Sequence, residues 1–257
     1  MRQASVPPTT PRTWAALAAA SVLGTNLGDL VSHTLHLGHL RGLPVLALAL
    51  ALVLATERRT PRPTHACYWL AIVLLRTAAT NLGDLATHDA RLPPPTVTAA
   101  LAALLCAVLA LRARTTPNAR SDALGRPVPV TDPLYWAAML TAGTLGTVAG
   151  DLLQDTAGQG PALAACAPLL LAAVLAHGAL PRPSLPAYWS TIVAARTAGT
   201  VAGDFAADRG GLALGLPLAT ACSAALLLCV LLFWPQSKAR QASPSFSEEN
   251  EAKRLCH

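Results

Sequence analysis

The stretch W-A-A-M-L-T-A-G-T-L-G-T-V-A-G-D, from Trp136 to Asp151, decides how this chain is read, because near-copies of it occur at three other places. Trp14 to Asp29, Trp69 to Asp84 and Trp189 to Asp204 have the same length, begin on Trp and end on Gly-Asp. Each copy lies in an apolar run, so the repeat puts four carboxylates where a bilayer core is expected. Ionisable groups at that depth are costly and point to function by default. Thr25, Thr80, Thr147 and Thr200 stand four residues before the Asp, on the same helix face. Four residues after it come His33, His88, Asp155 and Asp208, so each copy carries a polar ladder over successive turns. Copies two and four add Arg76 and Arg196, where copies one and three have Ser21 and Gly143. At about 1.5 Å per residue the Asp lies roughly 22 Å from its Trp, past the midplane of a core about 30 Å thick.

Taken whole, the chain is 53% hydrophobic and only 12% charged over 257 residues, with a positive mean hydropathy. Such a composition implies an integral membrane protein. The net charge of +6 comes from Arg scattered between apolar segments, which excludes a nucleic-acid surface. The six Cys form no Cys-x-x-Cys pair, so neither a disulfide framework nor a zinc site is indicated.

Apolar runs at about 13–33, 42–56, 67–88, 96–112, 134–154, 161–178, 187–207 and 211–234 predict eight spans, the second being short. Each copy is then one motif helix followed by a plain Ala/Leu helix that faces lipid. Fourteen of the nineteen basic residues, among them Arg12, Arg59, Arg112 and Arg182, fall on the side of the chain ends, and only Arg41, Arg91 and Arg209 on the other. The positive-inside rule makes both termini cytoplasmic. The expected organisation is a cytoplasmic segment at 1–12, a first membrane half at 13–112, a cytoplasmic linker at 113–133, a second half at 134–234 and a disordered cytoplasmic tail at 235–257. Because a repeat holds two spans, all motif helices point the same way, and their Asp residues share one depth. Small residues beside them, such as Gly24, Gly28, Gly199 and Gly203, permit close helix approach.

Plainer readings stand beside these. The Thr column can bond its own helix backbone. Trp14, Trp69, Trp136 and Trp189, three of them preceded by Tyr, are expected to be interfacial anchors. His33, His36 and His39, spaced by three, read either as an outer-surface loop or as metal ligands. No phosphate loop, G-x-S-x-G elbow, H-E-x-x-H or dinucleotide fingerprint occurs, so an enzyme is not expected.

These Y/x-W-x14-G-D units, each followed by a second span, resemble a bacterial repeat of unknown function, the domain of unknown function 347 repeat. That family has four tandem copies of two transmembrane helices with a characteristic Trp. The resemblance covers about residues 12–234 and implies the same architecture. Family members carry the label of uncharacterised membrane-anchored proteins, with a predicted link to efflux. The first copy departs from the pattern in having Thr13 before Trp14, and the first two carry His in the second polar column. At a cation site that mixture would favour transition metals over Mg²⁺ or Ca²⁺.

The fold class expected is an all-α integral membrane protein of eight transmembrane helices, built as four tandem parallel two-helix repeats in two pseudo-twofold-related halves. It is placed in a bacterial cytoplasmic membrane. The expected function is secondary transport, by export, of a small cation. Asp29, Asp84, Asp151 and Asp204 with the four Thr would bind substrate or couple protons. Arg76 and Arg196 would hold the carboxylates and balance two of the four charges. His33, His88, Asp155 and Asp208 would line the outer mouth. No resident cofactor is expected; the four Asp are the candidate metal ligands if the substrate is a divalent cation. Expected partners are the bilayer, the cation or proton, and an efflux-system component or a second copy. The alternative is a non-transporting scaffold or accessory subunit of an efflux system, in which Asp/Arg pairs are structural.

Overall fold

Three of the helices begin where a short polar residue stands one or two positions before proline. Thr10 accepts the amide of Thr13 at 3.3 Å before α1 (Pro11–Asp29), Asp132 accepts that of Tyr135 at 2.6 Å before α5 (Pro133–Ala157), and Ser184 accepts that of Ala187 at 3.4 Å before α7 (Leu185–Ala207). Such side chains satisfy amides that the first turn leaves unpaired, and proline loses nothing there. The computed structural model describes residues 6–59, 65–115, 120–121, 127–179 and 184–233. The tail expected at 235–257 lies outside the described residues. The other helices are α2 (Gly38–Arg59), α3 (His65–Asp84), α4 (Pro94–Thr115), α6 (Gln159–Ala179) and α8 (Leu216–Phe233). A two-residue antiparallel pairing, Arg120–Ser121 with Pro127–Val128, lies in the linker. The second helix, expected to be short, runs for 22 residues because it takes in Gly38 to Arg41 at its start and continues to Arg59 at its end.

The helices form two layers. α1, α3, α5 and α7 make a closed inner ring in which each touches the next and α7 touches α1. Each outer helix packs mainly on the inner helix that follows it in the chain: α2 on α3, α4 on α5, α6 on α7, and α8 back on α1. Burial follows this division: 61% and 67% of the residues in the α1 and α3 spans are buried, against 11% to 17% for α2, α4, α6 and α8. The outer helices display Leu48, Leu52, Leu104, Leu171, Leu175 and Leu228, all at least half exposed. An apolar surface of this extent suits lipid rather than water. Six helices are long and apolar enough to cross a membrane, namely all except α5 and α7. Those two are rich in Gly and Thr and are held inside the ring, so the chain is an all-helical, multi-pass membrane protein.

The ring closes through glycine. A Cβ on Gly28 of α1 would meet Thr80 Cβ of α3 at 2.8 Å, one on Gly83 would meet Thr147 Cγ2 of α5 at 2.9 Å, and one on Gly150 would meet Thr200 Cβ of α7 at 2.9 Å. Gly203 of α7 completes the circle against Thr25 Cβ of α1 at 3.2 Å. The Gly of each Gly-Asp pair is thus the socket for the Thr of the next motif helix. One turn away, Gly24 receives Arg76, Gly146 receives Arg196 and Gly199 receives Ser21. These contacts put the four motif helices parallel and in register, with like residues in one layer. Arg12 bonds the Val230 and Leu231 carbonyls at 3.3 and 2.5 Å, so the start of α1 and the end of α8 lie at the same end of the bundle.

Candidate functional site

A cavity of about 780 Å³ enters the inner ring from the end where the motif helices finish. Asp29, Asp84, Asp151 and Asp204 line it together, with His33, His88, Asp155 and Asp208, all exposed, at its mouth. Thr25, Thr80, Thr147 and Thr200 lie at its floor. All four threonines donate to the carbonyl four residues back, Thr25 to Ser21 at 3.1 Å, Thr80 to Arg76 at 3.3 Å, Thr147 to Gly143 at 3.4 Å and Thr200 to Arg196 at 3.2 Å. That back-bonding occupies the hydroxyl proton and leaves oxygen lone pairs towards the axis.

The guanidinium of Arg76 fills the centre of this ring of hydroxyls. It donates to Thr147 and Thr200 at 2.6 Å, to Thr25 at 2.7 Å and to Thr80 at 3.1 Å, one threonine from every motif helix. Arg76 and Arg196 were expected to hold the Asp carboxylates in place and balance charge; among the described residues neither forms an ion pair with them, and the pairs present are His39 or His88 with Asp84, His39 with Asp89, and Arg112 with Asp132. The reason is depth. Arg76 is two turns from the Asp level, and the Thr level lies between. Its charge still acts electrostatically on Asp29, Asp151 and Asp204.

Arg196 occupies the equivalent place but turns the other way. It donates to Ser21 Oγ at 3.1 Å and is fully buried. The three tyrosine hydroxyls meet on the axis, Tyr68 to Tyr135 at 2.8 Å and Tyr135 to Tyr188 at 3.4 Å, and close that end of the ring. The tryptophans, expected as interfacial anchors, stand mostly between the helices. Trp14, Trp69 and Trp189 are buried, and the indoles pack on the tyrosine of the preceding motif helix: Trp136 on Tyr68, Trp189 on Tyr135 and Trp14 on Tyr188, at 5.7 to 6.1 Å between ring centres. With Tyr pointing at the axis, the next residue falls in the seam between neighbouring helices.

The first two copies end differently from the others. Leu30–Thr34 and Leu85–Asp89 are π-helical, with Leu35 and Ala90 amides bonding carbonyls five residues back. This wider winding shifts His33 and His88 around the helix relative to Asp29 and Asp84. Among the described residues no three His, Cys, Asp or Glu side chains already stand together as a metal site, so the four Asp line the cavity without forming a closed ligand cage.

Residues outside the aligned columns also reach the site. Gln154 donates to Asp204 at 2.6 Å and Gln159 to Asp208 at 2.9 Å, while His39 lies between Asp84 and Asp89. The signal for Gln154 is its place three residues after Asp151. His39 and Gln159 each stand at the start of the outer helix that packs on the next motif helix, where the other two repeats have Pro94 and Leu216.

A closed ring of parallel helices around a charged, one-sided cavity, jacketed by apolar helices, defines a polytopic membrane protein with a polar axis. Residues 14–62, 67–117 and 187–239, more than half of the chain, match one family, and the chain belongs to it: the Repeat of Unknown Function (DUF347). The copy at Trp136 lies between the last two matched segments. No curated protein and no solved structure matches the chain.

Proposed function

We propose that this chain is a secondary transporter that exports a small cation across a bacterial cytoplasmic membrane, crossing it with all eight helices as four parallel two-helix repeats. The observation that carries this reading is the convergence of four Asp at one level of a cavity that is open on one side and floored by the four Thr that hold Arg76. At roughly 30 Å³ per water, its 780 Å³ is room for more than twenty waters, so a cation can arrive hydrated. Asp151 Oδ2 is buried without a donor, an acceptor ready for a cation or a proton. Arg12, Arg59 and Arg112 lie at the tyrosine end, which the positive-inside rule assigns to the cytoplasm. In that orientation the cavity faces outward and the tyrosine cluster is the closed inner gate. The scaffold alternative calls for direct Arg–Asp pairs, and both guanidiniums bond to hydroxyls instead.

The test is cation flux in proteoliposomes with Asp29→Asn, Asp84→Asn, Asp151→Asn and Asp204→Asn. Each is expected to lower flux by more than about tenfold, the equivalent of about 1.4 kcal/mol, while the protein stays monodisperse. Wild-type flux in all four, or loss of folded protein with no effect on flux, overturns the proposal.

A further inference from the structure

The cavity mouth differs between the two halves of the chain. In the second half, amides serve the carboxylates, Gln154 to Asp204 and Gln159 to Asp208. In the first half the counterpart of Gln159 is His39. Its Nδ1 is 3.1 Å from Asp89 Oδ2, and its Nε2 is 3.8 Å from Asp84 Oδ2, with the side chain only 10% exposed. Nε2 is buried with no hydrogen-bond partner. A neutral imidazole that donates Nδ1–H to Asp89 turns an Nε2 lone pair towards a second carboxylate, so two acceptors face each other across a gap too long for a hydrogen bond. A cation between them removes that conflict. Metal-bound histidines show this same backing by a carboxylate on the far ring nitrogen. His88 supplies a third group: its Nδ1 is 3.7 Å from Asp84 Oδ1 and 3.3 Å from Thr87 Oγ1, and its side chain is 65% exposed and free to swing.

We propose that His39 Nε2, Asp84 and His88 form a capture site for a divalent first-row transition ion, with Asp89 orienting His39 from behind. Bonds of about 2.1 Å put neighbouring ligands about 3.0 to 3.4 Å apart. The spacings of 3.7 and 3.8 Å therefore close by a few tenths of an ångström when the ion binds. Two imidazoles and a carboxylate select Zn²⁺, Co²⁺ or Ni²⁺ over Mg²⁺ and Ca²⁺, which prefer all-oxygen sites. As the entrance to a transport path, the site rests on the cation-transport reading and names its substrate class.

The experiment uses full-length, untagged protein in detergent, titrated with Zn²⁺ by calorimetry and with Co²⁺ by visible absorption. One Zn²⁺ per chain is expected, undisturbed by excess Mg²⁺. Affinity should fall on the order of 100-fold in His39→Gln and about 10-fold in Asp89→Asn, and not in His36→Gln. His39→Gln copies the amide of the second half and so keeps a donor to Asp89; Asp89→Asn gives an independent reading if that variant does not fold. Absence of saturable binding in the wild type, or equal affinity in wild type, His39→Gln and Asp89→Asn, overturns the site. Zn²⁺ held at His39 without flux in proteoliposomes keeps the site and removes transport. Flux with Zn²⁺ binding indifferent to His39 does the reverse.

Discussion

Arg76→Met should cost the protein about 3 to 5 kcal/mol, seen as a large fall in the midpoint of thermal unfolding in detergent. The side chain is 1% exposed and is the shared donor to four threonines, one on each motif helix. Methionine keeps much of the volume but leaves four hydroxyl oxygens facing one another with nothing to accept from. It also removes the positive charge nearest the Asp level, so the carboxylates lose the group that offsets their repulsion. Arg76→Lys should recover only part of the loss. An ammonium has three donors at one point, against the five spread over a planar fork, and cannot reach all four hydroxyls. Unchanged stability in Arg76→Met would show that the ring is held by helix packing alone.

Gly24→Ala should be nearly as damaging, by about 1 to 3 kcal/mol or more, because the new methyl overlaps Cβ and Cγ of Arg76. In most settings a long side chain yields to such a clash. Here its far end is fixed by the four threonines, so α1 and α3 must separate, and the floor of the cavity separates with them. Gly178→Ala serves as control, since a methyl there meets nothing within 4 Å. Its stability should be unchanged or slightly raised, as expected for alanine in a helix. Comparing the two variants by chromatographic homogeneity and unfolding midpoint isolates the packing effect from helix propensity. Gly24→Ala behaving like Gly178→Ala would contradict the close approach of α1 and α3.

Much of this arrangement is visible in the repeat itself. Trp, Thr, Gly and Asp recur at fixed spacing, and a fixed spacing on parallel helices forces like residues into layers. The plain Ala/Leu helices announce an apolar exterior by having nothing polar to bury. What spacing could not show is which neighbour each helix meets. The copy alignment suggests that a motif helix and the plain helix after it belong together, whereas the plain helix packs on the next motif helix. That shift brings His39 to Asp84 and Asp89, and Gln159 to Asp208, across the boundary between copies. The two arginines illustrate a second limit. Arg76 and Arg196 have matching contexts, R-T-A-A-T and R-T-A-G-T, yet only Arg76 enters the threonine ring. One set of four hydroxyls has room for one guanidinium, and like charges keep the second away. Which of the two wins depends on the whole ring rather than on either local sequence. The tryptophans were legible as markers, but their burial between helices depends on the same unseen neighbours.

The return of α8 to α1 bears on how the protein is made. During synthesis, α1 enters the membrane with its inner face uncovered and its outer face waiting for a helix encoded some two hundred residues later. No earlier intermediate can complete the threonine ring, since Thr200 arrives only with α7. Contacts that span nearly the whole chain are the slowest to form and leave polar groups unpaired meanwhile. A chain arrested before α7 therefore leaves an open arc, with Arg76 short of one of its four acceptors.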